Sequence, residues 1–288
     1  MRILCLVQRY HPVLGGSENL TKNFVDSISK KHDVEVCTTD VNEIDGFWDN
    51  TTQKLILDTK YDYPVKRYSV TTSSEISFDS NVKQMPLLKN FPGPFIPKLW
   101  GDLILDPINY DLIFVTALPY DHILPAYVAA KKWDIPIVMV PLIHQTFPDL
   151  FLTSYKINML NQSDAVIVLT NSEKSILEEF GVKSKIFVTE PTLEINSKKI
   201  TLDFHEFCSI PPDSKIILFI GLKSEMKGVV NLIESMKKLW KKNMDVFLVM
   251  IGQTTQKFDD YIKKQKKQFT EKIIDLNIVD EDIKNSAY

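Results

Sequence analysis

Arg2 to Ser29 reads RILCLVQRYHPVLGGSENLTKNFVDSIS, and this stretch decides the fold. It holds an apolar run, RILCLVQ, then a bend with two adjacent glycines, and then a segment whose apolar residues recur every four positions at Leu20, Phe24 and Ile28. This order predicts a buried strand, a tight turn and an amphipathic helix. Much of the chain repeats the same unit.

The bend is the first candidate for a binding site. Gly15 and Gly16 leave room for main-chain N–H groups to approach a ligand, and the helix start behind them carries partial positive charge. A phosphate or a sugar hydroxyl would suit this arrangement. The simpler alternative is that the two glycines only satisfy a sharp bend. The turn has neither the spaced glycines of a dinucleotide fingerprint nor a Gly-Lys-Ser/Thr phosphate loop.

The composition is that of a globular protein with more than one domain. The chain has 288 residues, 44% of them hydrophobic and 25% charged, so it can bury real cores. Its net charge of -3 argues against a nucleic-acid-binding protein, which would need a basic face. We therefore expect no nucleic acid among its partners.

The three cysteines indicate a reducing compartment. Cys5, Cys37 and Cys208 are scattered without metal-ligand spacing and read as buried thiols. The N-terminus runs directly into the first strand, so we expect no signal peptide. The longest apolar run, IPIVMVPLI, is far shorter than the roughly 20 residues of a membrane-spanning helix. We expect a cytoplasmic protein, with a peripheral contact at the membrane surface as an open alternative.

Strands alternate with helices from residue 2 to about residue 190, which predicts a doubly wound parallel sheet. The helix after the strand YDLIFVTA is expected to start at Asp121. Glu190 to Ser214 has three prolines and little periodicity, so we place a domain junction there and divide the chain into domains 1–195 and 196–288. The second domain has two clear strands, KIILFIG and DVFLVMIG, and one further candidate, KIIDLNI, so it is expected to be incomplete.

Two further segments leave alternatives open. Met85 to Pro107 mixes apolar residues with five prolines, which predicts either a broken helix packed on the domain or an apolar surface for a lipid-bound acceptor. The segment FDDYIKKQKKQFTEKI carries apolar residues on one helical face and four lysines on another. That lysine cluster is most simply a solvated face, and a contact with anionic lipid heads is the alternative.

Four stretches, in order, carry a family resemblance. They are the first strand with its PVLGGSE turn, the strand IPIVMVPLIH, the segment SDAVIVLTNSEKSILEEFG, and FIGLKSEMKGVVNLIESM at the start of the second domain. The whole chain resembles the retaining glycosyltransferases of family 4, whose two facing Rossmann-like domains form the GT-B arrangement. The resemblance implies an acceptor-side N-terminal domain, a C-terminal nucleotide-sugar domain and chemistry in the cleft between them.

The resemblance also implies roles for individual residues. Gly15 and Gly16 match the glycine loop that faces the donor diphosphate and sugar, and His144 matches the histidine that contacts the transferred sugar. Lys227 matches the lysine that meets the diphosphate. A histidine that only closes its strand and a lysine that only faces solvent are the plainer interpretations. The implied reaction is transfer from a nucleotide-diphosphate sugar to a glycan or lipid-linked acceptor in polysaccharide assembly, with no cofactor and no metal.

The chain also departs from the family pattern. Leu222 follows Gly221 where the family has an arginine, so Lys223 substitutes for it only if the loop bends. The junction reads PTLE, and the family's pair of glutamates separated by seven residues is expected after the last residue. We therefore expect a C-terminally truncated enzyme. A non-catalytic partner subunit of a complete transferase and a nucleotide-sugar epimerase of the same architecture stay open.

Overall fold

The computed structural model describes residues 1–13, 15–42, 44–47, 59–71, 93–146, 148–190, 202–254, 256–269 and 271–288. The chain divides into two compact units, Met1–Glu194 and Ile195–Tyr288. Each unit is built on its own parallel sheet with helices on its faces. This architecture confirms the predicted fold class, and the second sheet is the smaller one.

The first unit holds a seven-stranded sheet in the order β3-β2-β1-β4-β5-β6-β7. All of its strand pairs are parallel. Its strands are β1 (Arg2–Leu6), β2 (Asp33–Thr39), β3 (Val65–Tyr68), β4 (Leu112–Thr116), β5 (Ile137–Val140), β6 (Ala165–Val168) and β7 (Ile186–Val188). Strand order reverses between β1 and β4, and ligands of such sheets bind outside the carboxyl ends at that point.

Helices connect most of these strands, three of them where the sequence pattern predicts. Those of the first unit are α1 (Gly16–Ile28), α2 (Pro97–Ile104), α3 (Ile123–Trp133), α4 (Pro148–Phe151), α5 (Ser154–Asn161) and α6 (Asn171–Glu179). A short 3-10 helix spans Ile44–Phe47. The helices α4 and α5 were not predicted, because their few apolar residues do not repeat with a clear helical period.

The sheet of the first unit is buried on both faces. Leu4 and Leu6 of β1 belong to one core cluster, whereas Ile3 and Cys5 belong to another. Because side chains alternate along a strand, these two clusters lie on opposite faces. In the second cluster Phe24 of α1 stacks on a phenylalanine of β4, with ring centroids 4.1 Å apart. The helical period in Arg2 to Ser29 therefore packs as predicted.

The second unit holds three parallel strands in the order β10-β9-β8. They are β8 (Lys215–Ile220), β9 (Val246–Ile251) and β10 (Ile273–Leu276), with helices α7 (Phe204–Phe207), α8 (Val229–Trp240), α9 (Gln256–Gln268) and α10 (Glu281–Ser286). Every residue of β9 is buried, as the centre of a covered sheet requires. Strand β10 is the third strand that the segment KIIDLNI suggested.

Three sequence-based expectations need adjustment. Asp121 does not cap α3: His122 precedes the helix, and the structure shows no side-chain cap there. The strand in IPIVMVPLI ends at Val140, one residue before a proline. In Met85 to Pro107, helix α2 packs into the core through Leu99 and Leu103, while residues 85–92 lie outside the described residues.

The lysine-rich helix α9 is amphipathic, as its sequence predicts. Phe258 and Ile262 are buried, whereas Lys263 and Lys264 are exposed. Lys263 forms an ion pair with Asp259 one turn earlier. The contact of this face with lipid heads stays a prediction.

Candidate functional site

The glycine turn follows β1 at the point where strand order reverses. Gly15 is the N-cap of α1 and Gly16 its first residue. The backbone of Gly15 is extended, at φ -179° and ψ 165°, so its conformation does not itself require glycine. A Cβ at Gly15 would lie 2.7 Å from Cδ of Glu18, whereas a Cβ at Gly16 would meet nothing within 4 Å. Only at the first glycine would an added Cβ have to displace a neighbour, the carboxylate of Glu18.

A buried ion pair underlies this turn. Arg9 Nη2 lies 2.6 Å from Glu18 Oε1, and Arg9 Nε donates to the same oxygen at 2.9 Å. Ser17 Oγ donates to the other carboxylate oxygen at 2.8 Å and accepts from Gln8 at 2.7 Å. These contacts join the loop after β1 to the first turn of α1. These contacts were not predicted from the sequence, although the third position of a helix is where a capping box has its glutamate.

His144 lies on the loop that follows β5. Its side chain is exposed, and its ring centroid is 5.9 Å from that of Phe151 in α4. Strand β4 separates β1 from β5, so the loops with Gly16 and His144 follow the carboxyl ends of strands that lie two strand spacings apart, or roughly 10 Å. The structure therefore places the predicted residues of the first unit at the carboxyl end of the same sheet.

A second histidine at this edge has a different character. His122 is buried, and its Nε2 donates to the carbonyl of Thr116 at the end of β4. Burial lowers its pKa to about 4, so the ring is neutral at pH 7. The neighbouring Asp121 is a carboxylic acid whose pKa burial raises to about 7. Of the two histidines, only His144 is presented to solvent.

Lys227 lies in the second unit, after the carboxyl end of β8. It ends a short 3-10 helix, Glu225–Lys227, and its side chain is exposed. Gly228 follows at φ +76°, a left-handed conformation that favours glycine, and is the N-cap of α8. An ammonium group thus stands beside a helix N-terminus, a combination suited to an anion.

Lys223 has the opposite environment, because its side chain is fully buried. Its ammonium pairs with Asp275 of β10 and donates to the carbonyl of Leu276 at 2.8 Å. The side chain of Lys223 points into the second unit, whereas that of Leu222 before it is exposed. A diphosphate would have to displace Asp275 to reach this ammonium. The structure gives Lys223 a partner inside the unit, and its role toward a diphosphate stays a prediction.

The backbone at this edge of the second sheet is closely packed. Gly252, just after β9, has φ +130°, and a Cβ there would lie 2.8 Å from the carbonyl carbon of Gly221. Gly221 itself has φ +148° and donates its N–H to Ile251 at 2.9 Å. The carboxyl ends of β8 and β9 therefore contact each other through main-chain atoms.

Within the described ranges, no group of three or more His, Cys, Asp or Glu side chains is placed to hold a metal ion. None of the described helices has the length and apolar character needed to cross a membrane. The junction sequence PTLE lies outside the described residues.

Several solved structures share this fold. Anabaena HepE, in complex with UDP and glucose, is 18% identical, and the match covers 97% of this chain and 70% of that chain with a TM-score of 0.64. A glycosyltransferase from Rickettsia africae is also 18% identical, over 99% of this chain and 69% of that one, with a TM-score of 0.59. The UDP-forming trehalose-phosphate synthase of Burkholderia vietnamiensis is 13% identical, over 98% and 73%, with a TM-score of 0.61. These likenesses show the GT-B fold.

Family models match both parts of the chain. The model described as Glycosyl transferases group 1 matches residues 203–281. The model described as Glycosyltransferase Family 4 matches residues 14–193, more than half of the chain. No curated protein matches the sequence. The chain therefore belongs to glycosyltransferase family 4.

Proposed function

We propose that this protein transfers a sugar from a UDP-linked donor to a glycan or lipid-linked acceptor, with retention at the anomeric carbon. The observation that carries the proposal is the exposure of His144 and Lys227 after the carboxyl ends of their strands, in a chain of this family. Ligands of open parallel sheets bind at those ends. UDP is proposed because Anabaena HepE was solved with it and a trehalose-phosphate synthase of the same fold is UDP-forming.

In this proposal each unit has its own task. The first unit holds the acceptor, and its residues Gly15, Gly16 and His144 face the transferred sugar. The second unit holds the nucleotide, and Lys227 binds the diphosphate beside the N-terminus of α8. An ammonium group and helix amides are favourable contacts for phosphate oxygens. The exposed lysine, rather than the buried Lys223, is the proposed cation because it can reach a ligand without breaking an ion pair.

The reaction breaks the bond between the anomeric carbon and the phosphate oxygen. A new bond to the acceptor oxygen forms on the same face of the sugar, and the acceptor proton passes to the departing phosphate. Positive charge builds on the sugar ring while negative charge builds on the diphosphate. Lys227 and the helix amides then stabilise the transition state more than the ground state. This route uses no metal ion and no cofactor besides the donor.

Calorimetric titration with UDP and GDP tests the donor site. We expect wild-type protein to bind UDP and Lys227→Ala to bind it at least about tenfold more weakly, a loss of about 1.4 kcal/mol. Lys238→Ala is the matched control, because Lys238 is an exposed lysine in the last turn of α8, far along the helix from the N-terminus beside which Lys227 lies. Wild-type protein that binds neither nucleotide, or Lys227→Ala that binds UDP as the wild type does, would contradict the proposal.

Two assays separate the remaining functions. Incubation of a UDP-sugar alone would yield an isomeric UDP-sugar from an epimerase, whereas a transferase releases UDP as the sugar passes to water or, once it is added, to an acceptor. A non-catalytic partner subunit would copurify in a stable complex with a complete transferase and would release no UDP by itself. Release of UDP by the isolated chain supports transfer.

We further propose a cytoplasmic location with a peripheral contact at the membrane. The cysteines that the structure describes are free thiols, and Cys5 and Cys37 are buried, which suits a reducing compartment. The lysine face of α9 is the proposed contact with anionic lipid heads. Cosedimentation with phosphatidylglycerol vesicles at low and high salt tests it, since an electrostatic contact weakens as salt increases.

A further inference from the structure

The loop that carries His144 has an unusual backbone. It runs from the end of β5 through Leu142, whose φ of +51° lies in the left-handed region that non-glycine residues seldom adopt. A residue in this region needs support from its surroundings. The support comes from α6, which follows the neighbouring strand β6.

Glu173 of α6 makes the main connection. Its side chain is 5% exposed, and Oε1 accepts from the N–H of Ile143 at 3.0 Å. The other oxygen, Oε2, accepts from the N–H of Leu169 at 3.1 Å. One carboxylate therefore joins the residue before His144 to the loop after β6.

A second contact lies on the other side of His144. Ser172 Oγ donates to Oε1 of Gln145 at 3.1 Å. The residues on both sides of His144 are thus held by two consecutive residues of α6. His144 itself remains exposed between them.

This arrangement exceeds what a helix cap needs. Thr170 already caps α6, because its hydroxyl accepts from the N–H of Glu173 at 3.0 Å. In a capping box the glutamate would return to the N–H of the cap residue. Here one carboxylate oxygen instead reaches a loop 30 residues earlier in the chain. The carboxylate of Glu173 therefore accepts a hydrogen bond from the His144 loop instead of from the cap residue.

We propose that Glu173 is a positioning residue that fixes the His144 loop so that the imidazole is presented to the transferred sugar. The inference rests on the proposed function, in which His144 contacts that sugar. Glu173 acts through the backbone of Ile143, and Ser172 through the side chain of Gln145.

Kinetics of UDP release from UDP-glucose test the inference. We expect Glu173→Gln to lower kcat roughly tenfold to a hundredfold, because an amide keeps one acceptor and loses the other, and a misplaced contact costs rate. The affinity for UDP, measured by calorimetry, should change less than about twofold, since Glu173 contacts no nucleotide in this proposal. Glu178→Gln is the matched control, because Glu178 is exposed on the same helix and pairs with Lys174 at 3.7 Å. It should behave as the wild type.

A double-mutant cycle separates positioning from general loosening. If Glu173 acts through His144, adding Glu173→Gln to His144→Ala lowers kcat no further. The imidazole resonance of His144 should also shift in Glu173→Gln and not in Glu178→Gln. Multiplicative losses in the cycle, or an unshifted resonance, would overturn the inference.

The two proposals fail in distinguishable ways. Full activity in His144→Ala would refute the role of the histidine and thus the proposed function at this residue. Loss of activity in His144→Ala together with full activity in Glu173→Gln would refute positioning alone. If Glu173→Gln does not fold, Ser172→Ala replaces it, because it removes only the contact with Gln145. A wild-type kcat and an unshifted His144 resonance in Ser172→Ala would then count against the inference.

Discussion

Helices α1 and α6 begin with the same local pattern but use it differently. Gly15-Gly16-Ser17-Glu18 opens α1 and Thr170-Asn171-Ser172-Glu173 opens α6, so each helix has a serine at its second position and a glutamate at its third. Both glutamates are buried, at 2% and 5% exposure. Each one ties its helix to a loop that carries a candidate site residue.

The difference lies in what each carboxylate meets. Glu18 meets the guanidinium of Arg9, from the loop just before its own helix. Glu173 meets two backbone N–H groups, one of them on the loop after β5. A charged partner makes the first contact costly to break, whereas neutral amides make the second a hydrogen-bonded support. The same short pattern thus serves packing in one place and loop placement in another.

Removal of the carboxylate from α1 should have the largest effect. Glu18→Ala leaves the buried guanidinium of Arg9 without its counter-charge, so we expect the free energy of unfolding to fall by about 3–5 kcal/mol. Urea denaturation measures it. The control Glu178→Ala, which removes an exposed ion pair, should change stability by less than about 1 kcal/mol. A similar small loss for Glu18→Ala would show that the buried pair does not hold the turn.

Adding one methyl group to the same turn should have an intermediate effect. Gly15→Ala places a Cβ against the carboxylate of Glu18, which Arg9 and Ser17 hold in place, so we expect a loss of about 1–3 kcal/mol. Gly16→Ala meets open space and should be neutral within about 0.5 kcal/mol. Thermal unfolding of the two variants under the same conditions measures the loss of stability at each of the two adjacent glycines. Equal losses would mean that backbone freedom, and not the buried carboxylate, selects glycine at both positions.

Most of the fold could be predicted from periodicity alone. The strands DVEVCTT and YDLIFVTA, and the helix Ile123–Trp133 after the second of them, follow from apolar patterns that match the observed burial. Short helices such as Ser154–Asn161 escaped prediction because so few turns give no reliable period. We expected α3 to start at Asp121 because aspartate is a common N-cap. In the structure Asp121 lies in the loop after β4, and His122 is the N-cap.

The residues of the candidate site could be named from the sequence, but the contacts that support them could not. His144 and Lys227 were named because they match the family's histidine and lysine, and both side chains are exposed after a strand, while their roles stay predictions. The burial of Lys223 was not predicted, because it depends on Asp275, a partner that lies 52 residues later and that local sequence patterns do not reveal. Glu173 was missed for the same reason, because it contacts a loop 30 residues earlier in the chain. Arg9 and Glu18 are only nine residues apart and were missed because their pairing depends on how the loop after β1 folds back on α1.

The smallest expected effect concerns pH and distinguishes the two kinds of support. Burial raises the pKa of Glu173 above its ordinary value, although its two backbone amides oppose the shift. A raised folded-state pKa contributes stability that is present below the unfolded pKa and is lost as pH rises through the folded pKa. The stability advantage of wild type over Glu173→Gln should therefore widen by a few tenths of a kcal/mol, from about 1 kcal/mol at pH 7, as pH falls toward 4.5.

Asp102 provides the opposite sign as a control. Its hydrogen bond from Lys98 lowers its pKa, so its contribution to stability is present above the unfolded pKa and is lost as pH falls. The advantage of wild type over Asp102→Asn should accordingly narrow on acidification, in the same urea titrations. If the Glu173→Gln difference also narrowed, the carboxylate of Glu173 would be stabilised in its charged form. The loop of His144 would then be held by charge, as the glycine turn is, and the contrast between the two helix starts would disappear.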